Sequence, residues 1–160
     1  MVARIPEDPA RCRVEQVQRR SVMPQAHQQP NVFVVDDEEV IALTLTMILR
    51  LQGGFNARSF TKPLEALEAA RSEAPDLLIS DVMMPRLSGI DLAIRVREYC
   101  PECKVLLFSG QAATFKMLQD ARKNGNDFEV LLKPVHPADL LARIRNLTEP
   151  MSCLNLAEER

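Results

Sequence analysis

The chain has 160 residues, 46% of them hydrophobic, and a formal net charge of -2 at pH 7. That length supports one well-cored domain without room for a second of ordinary size, and the intermixed acids and bases form no basic stripe to follow a nucleic-acid backbone. No apolar run approaches the ~18–20 residues that span a bilayer, and the N-terminus lacks the apolar core of a signal peptide, so the expectation is a soluble, cytoplasmic protein that contacts neither membrane nor DNA directly.

Residues 1–29 hold five arginines, a glutamine-rich stretch from Gln25 to Gln29 and no sustained apolar period. They read as an N-terminal extension, mobile or loosely docked, with room for a short helix over about 10–20; Met23 is an alternative start and His27 a solvated residue. From Asn31 the pattern becomes regular. The run at 32–35 predicts a strand, and 39–52 a helix stopped by Gly53-Gly54. An edge strand is expected over 55–60, followed by a helix capped by Thr61, started by Pro63 and buried through Leu64, Leu67 and Ala70.

A strand at 77–80 leads into Asp81 and a proline-containing loop. Ser88 then caps a helix running to about Tyr99, with Ile90, Ile94 and Val96 on its apolar side, and Pro101 closes it. A strand at 105–108 reaches Ser109-Gly110, a helix covers about 113–123 and stops at Asn124-Gly125, and the last strand covers 129–132. His136-Pro137 opens a final helix on which Leu140, Leu141, Ile144 and Leu147 recur. The domain is therefore expected at 30–148, with a polar C-terminal tail at 149–160.

Short continuous apolar runs joined by helical patterns read as buried parallel strands with right-handed crossovers, an α/β fold. Parallel strands bring their C-terminal ends to one edge, which is where open α/β sheets bind ligands. That edge collects the polar residues ending four runs: VFVV leads to Asp36-Asp37, LLIS to Asp81, VLLF to Ser109 and VLL to Lys133. Three carboxylates repel one another, and a hard divalent cation, Mg2+ above all, relieves that repulsion while keeping them ionised. Asp81 stands alone and suits a nucleophile that accepts a phosphoryl group; Asp36 and Asp37 share a turn suited to metal. Lys133 offers a compact cation and Ser109 a hydroxyl for phosphoryl oxygens.

The cysteines at 12, 100, 103 and 153 include one Cys100-Pro101-Glu102-Cys103 pair. A single CxxC falls short of a four-ligand zinc site, so packed, unpaired thiols at a helix-to-strand turn are expected.

The segments VFVVDDEE, LLISDVMMPRLSG, LLFSG and VLLKP, in this order and with these intervening helices, resemble the signature segments of the response-regulator receiver domain of two-component signalling. The resemblance covers about residues 31–147. It implies a flavodoxin-like, doubly wound, five-stranded parallel sheet of order 2-1-3-4-5 with five flanking helices. It also implies that Asp81 is the phosphoacceptor, that Asp36, Asp37, Asp81 and the Met83 backbone carbonyl hold Mg2+, and that Ser109 and Lys133 contact the phosphoryl group. A cis bond before Pro134 is implied as well. Such domains take phosphate from a sensor histidine kinase or a phosphotransfer protein, catalyse the transfer themselves and engage a downstream target protein, here as a stand-alone monomer or weak dimer.

The chain departs from the family pattern in one place. Many receivers carry Tyr or Phe three residues before the lysine, where this chain has Val130; Phe128, two residues earlier, is expected on the same side of the strand. The spacing from Gly125 to Lys133 is also one residue longer than is common. Met83 and Gln111, two residues beyond Asp81 and Ser109, are expected to flank the path of a hydrolytic water. An apolar Met83 cannot orient that water, which predicts a long-lived phosphoryl group. Three other readings compete: acids that only cap helices, a receiver-like scaffold that binds a partner without phosphorylation, and a flavodoxin-like phosphohydrolase. The last lacks a cap insertion and a glycine-rich phosphate loop.

Overall fold

The computed structural model describes residues 29–110 and 113–148. The N-terminal extension up to residue 28, with Cys12 and His27, lies outside the described residues, as do Gln111 and the C-terminal tail with Cys153.

Five strands, β1 (Asn31–Val35), β2 (Asn56–Phe60), β3 (Leu77–Asp81), β4 (Lys104–Ser109) and β5 (Glu129–Leu132), form one sheet in the order β2-β1-β3-β4-β5. Every neighbouring pair is parallel. The five helices are α1 (Glu39–Ile48), α2 (Pro63–Ser72), α3 (Gly89–Tyr99), α4 (Ala113–Lys123) and α5 (Pro137–Thr148). The flavodoxin-like α/β architecture expected from the sequence is thus the observed one.

Alternation along the strands divides the core into two layers, because successive side chains leave opposite faces of a sheet. Phe33, Val35, Leu78, Val105 and Leu107 pack with residues of α2, α3 and α4. Val32, Val34, Leu77, Ile79, Leu106 and Phe108 pack with Leu49 and with Leu140, Leu141 and Ile144 of α5. All five residues of β3 are buried, which makes it the central strand. A fully buried Leu or Ile contributes about 1.5–3 kcal/mol, so this strand anchors whatever its end carries.

Several local expectations change in the structure. The helix predicted over 39–52 keeps α geometry only to Ile48; Leu49–Gly53 widens into a π-type turn ended by Gly54 at φ 69°, the left-handed conformation that glycine adopts freely. The N-cap of α2 is Lys62 rather than Thr61, and no side chain caps it. Leu64 is half exposed, while Pro63, Ala66, Leu67 and Ala70 form the buried stripe. A helix twists about 100° per residue, so Ala66, not Leu64, shares a face with Ala70.

Ser88 does cap α3, its Oγ accepting from Asp91 N at 3.1 Å. His136 Nδ1 likewise accepts from Ala138 N at 3.2 Å, at the start of α5. Cys100 and Cys103 are both buried and unpaired, as the single CxxC suggested. Burial pushes the Cys103 thiol up to about 12, so it is an inert packing group.

Candidate functional site

The C-terminal ends of β1, β3, β4 and β5 bring Asp36, Asp81, Ser109 and Lys133 to one edge of the sheet. Asp81 and Ser109 are themselves the last residues of β3 and β4, one position deeper in the sheet than the pattern indicated. Lys133 follows β5 directly, and its backbone N donates to Ser109 O at 2.8 Å, tying the two strand ends together.

The centre of the site is an ion triad. Lys133 Nζ lies 2.7 Å from Asp81 Oδ1 and 3.3 Å from Asp36 Oδ2. Asp36 is 2% exposed, and loss of hydration raises its pKa. The Glu38 amide and Lys133 oppose that rise, and the Asp81 charge adds to it. Burial works to lower the Lys133 ammonium, but its hydrogen bond to Asp81 and the charges of Asp36 and Asp81 prevail and hold it above its ordinary value. The lysine is therefore a firmly protonated cation between two carboxylates.

Backbone amides fix the orientation of both carboxylates. Asp36 Oδ1 accepts from Glu38 N at 2.9 Å, and Asp81 Oδ2 accepts from Met83 N at 2.9 Å. These are turns closed two residues along the chain. Neither acid caps a helix with its side chain: α1 begins at Glu38 without a side-chain cap, and α3 is capped by Ser88. The helix-capping reading of these two acids therefore fails, because their oxygens are committed to the turns and to Lys133.

Asp37 is exposed at the turn after β1. Among the described residues no three acid, histidine or cysteine side chains gather closely enough to hold a metal ion by themselves. The tight cluster of three carboxylates anticipated from sequence is thus corrected to two carboxylates bridged by an ammonium, with the third at the rim. Mg2+ remains compatible with this donor set, since it is commonly held by one or two carboxylates together with waters and phosphate oxygens. Burial raises the pKa of Asp36, and a cation beside it would oppose that rise.

Three residues that the sequence reading passed over shape the site. A Cβ at Gly89 would meet the Asp81 backbone O at 2.0 Å, so only glycine lets the first turn of α3 approach the end of β3 this closely. Ser80 Oγ donates to the Asp81 carbonyl at 2.9 Å. Thr114, buried on α4, shares a hydrogen bond with Ser109 Oγ. The Ser-Gly pair after a proline loop was the available signal for Gly89; nothing local marked Thr114, five residues past a strand end.

Beside Ser109 and Lys133 opens a cleft of about 920 Å3 between α4 and β5, lined also by Phe115, Leu118, Phe128, Val130 and Leu132. Phe128 and Val130 both pack toward the α2–α4 layer, the same side of β5 as anticipated. The Phe128 ring is buried and carries the Arg97 guanidinium 4.7 Å from its centroid, which ties it to α3. Met83 is half exposed at the mouth of the site.

The bond before Pro134 is cis. Sheet order, the acid at the end of the central strand and the lysine after the last strand together define a doubly wound α/β domain with an acid–lysine pair at one edge of its sheet. Residues 32–145 match the family described as the response regulator receiver domain, and the chain belongs to that family. It is 34% identical over 126 residues to the probable transcriptional regulatory protein TcrX of Mycobacterium tuberculosis, covering 78% of this chain and 53% of that protein. It is 32% identical to the transcriptional regulatory protein CreB of Escherichia coli, covering 75% of this chain and 51% of that one. The chain thus spans about half the length of these curated relatives. Similar solved structures include a response regulator receiver domain protein from Clostridium thermocellum, with TM-score 0.67, 28% identity and coverage of 74% of this chain and 94% of that one. The chemotaxis protein CheY4 of Vibrio cholerae aligns with TM-score 0.66 and 25% identity, covering 75% of this chain and 99% of that one.

Proposed function

We propose that Asp81 accepts a phosphoryl group from a histidine kinase or a phosphotransfer protein, and that the chain works as the cytoplasmic receiver of a response regulator. The observation that carries this reading is Lys133 Nζ held 2.7 Å from Asp81 Oδ1 at the mouth of the central strand. A carboxylate oxygen of Asp81 forms a bond to phosphorus as the bond to the donor's imidazole nitrogen breaks. Lys133 meets the charge that develops on the phosphoryl oxygens. Asp36, Asp37, Asp81 and the Met83 carbonyl are the groups that would hold Mg2+, which when bound neutralises charge on those oxygens. No further turnover follows from this chemistry apart from slow loss of the phosphoryl group, so the protein acts as a switch rather than as an enzyme of metabolism.

Ser109 is the hydroxyl that turns toward the phosphoryl group, and its exchange away from Thr114 would bias the α4–β5 region between two states. Val130 removes the ring that usually accompanies that movement, and Phe128, held by Arg97, is the aromatic nearest the same cleft. Output through a protein contact is supported by the charge balance of the chain. A second reading keeps a DNA-binding output, because several relatives, among them MtrA of Mycobacterium tuberculosis at 30% identity, are DNA-binding response regulators.

Intact-mass spectrometry after incubation with acetyl phosphate and Mg2+ tests the central claim. We expect a gain of one phosphoryl group that disappears in Asp81→Asn and when EDTA removes the cation. No gain in the folded native chain would favour the scaffold reading, and steady release of phosphate from esters would favour the hydrolase. Following the phosphorylated mass over time also tests the roles of Met83 and Gln111: slow loss is expected, and faster loss in Met83→Asn.

A further inference from the structure

The outward face of α1 takes no part in the chemistry above. Val40, Leu43 and Met47, with Leu51 in the turn that follows, recur at three- and four-residue spacing, so they form one stripe. They are 77%, 46%, 58% and 78% exposed, while Ala42, Thr46 and Leu49 on the opposite face are buried. A surface helix normally turns charged residues toward water, yet over 39–51 the only charged residues are Glu39 and Arg50. Isolated exposed leucines are ordinary, whereas a contiguous apolar stripe marks an interaction surface.

Two features select the occupant. The first is that the stripe matches its own reverse: turned end for end, it sets Val40 against Leu51 and Leu43 against Met47. The second is charge. Glu39 and Arg50 lie close to three turns apart at ~3.6 residues per turn, so they share one flank of the stripe at opposite ends. Among the described residues neither forms an ion pair; Arg50 Nε donates instead to Ala57 O at 2.7 Å. A two-fold axis perpendicular to both helices and lying in the interface keeps that flank on one side while exchanging the ends. Glu39 of each copy then meets Arg50 of the other. A parallel pair sets like ends together and creates neither complement.

We propose that the exposed face of α1 is a homodimer interface, in which two copies of the chain pair isologously with antiparallel α1 helices. Stable interfaces bury roughly 800 Å2 per partner, more than a single helical stripe supplies, so the dimer is weak. This interface goes beyond the phosphoacceptor reading and is tested without it.

The test is sedimentation velocity of the full, unphosphorylated chain across the micromolar range. Native protein is expected to move from monomer to dimer as concentration rises. Met47→Lys combined with Leu51→Lys, both on exposed positions, should abolish the shift. Glu39→Arg and Arg50→Glu should each be monomeric alone, since each then faces a like charge across the axis. Mixed in equal amounts they should associate, because both contacts across the axis of the mixed pair then join an arginine to a glutamate. Thermal melts confirm that each variant is folded, and Glu39→Arg with the double lysine variant decides the matter if Arg50→Glu is not. A native chain that stays monomeric throughout, a dimer that survives the double lysine variant, or folded charge variants that ignore each other would each overturn the proposal.

Discussion

Asp81 and Lys133 stand 52 positions apart in sequence and 2.7 Å apart in space. The pair explains why the acid at the end of β3 stays oriented before any donor arrives: one oxygen is held by the ammonium and the other by the Met83 amide. Replacing Lys133 with Ala removes the compensating charge, and we expect phosphorylation by acetyl phosphate to slow by about 10²–10³-fold, the range typical for a lost donor to developing charge. The progress of the mass gain reports this directly. Gly89 acts on the same residue through the backbone. In Gly89→Ala the new methyl must push the end of β3 or the start of α3 aside. We expect a loss of about 1–3 kcal/mol in urea unfolding together with slower phosphorylation, because the displaced atom is the Asp81 carbonyl.

At the scale of the elements, the local rules that succeeded are those whose partners are close in the chain. Ser88 caps α3 through an amide three residues on, and Ser88→Ala should cost about 1 kcal/mol, read from the urea midpoint. Leu64 and Leu78 form a sharper contrast, since both are leucines in elements that the pattern recognised. Leu78 lies fully buried on β3 and Leu64 is 50% exposed on α2. Leu78→Ala should therefore cost about 2–5 kcal/mol, while Leu64→Ala stays within about 0.5 kcal/mol. Equal losses would mean that α2 packs with a different face toward the sheet.

The whole molecule carries a pH dependence set by groups whose titration the fold has shifted. The Lys133 ammonium is held above its ordinary 10.5 by its carboxylate partners; it stabilises the fold fully below the unfolded value, and that stabilisation is lost as pH rises through the folded one. The Cys103 thiol acts in the same direction. Burial holds it neutral to about 12, whereas an unfolded thiol ionises from its ordinary 9.0, so the unfolded chain binds fewer protons and stability falls between these values. We expect the urea midpoint to decline above about pH 9, and the decline to be shallower in Cys103→Ala, where the Cys100 thiol, also raised by burial, still contributes. Asp36 contributes at the acid end with the sign of a raised carboxylate. Its ionisation costs stability as pH rises from the unfolded value toward the folded one, a cost that a bound cation would offset.

How much of this was legible beforehand follows the range of the interaction concerned. Apolar runs and helix periods specified the strands, the helices and the polar residue at each strand end, because burial acts on residues one or two turns apart. The placing of Asp36, Asp81, Ser109 and Lys133 at one edge followed from parallel pairing, whereas the order of the strands came from the resemblance to receiver domains. Contacts that depend on three-dimensional closeness alone were not readable. They include the ammonium set between two carboxylates with Asp37 left at the rim, the hydrogen bond from α4 to Ser109, and the Arg97 guanidinium fixed over Phe128. The bare apolar stripe on α1 belongs with them, since periodicity reports that residues share a face but not which way it turns. Sequence alone therefore determined the strands, the helices and the cast of the site, through local propensity and alternation. Packing decided which charges meet, because Coulomb energy and desolvation depend on distances and burial that no spacing along the chain encodes.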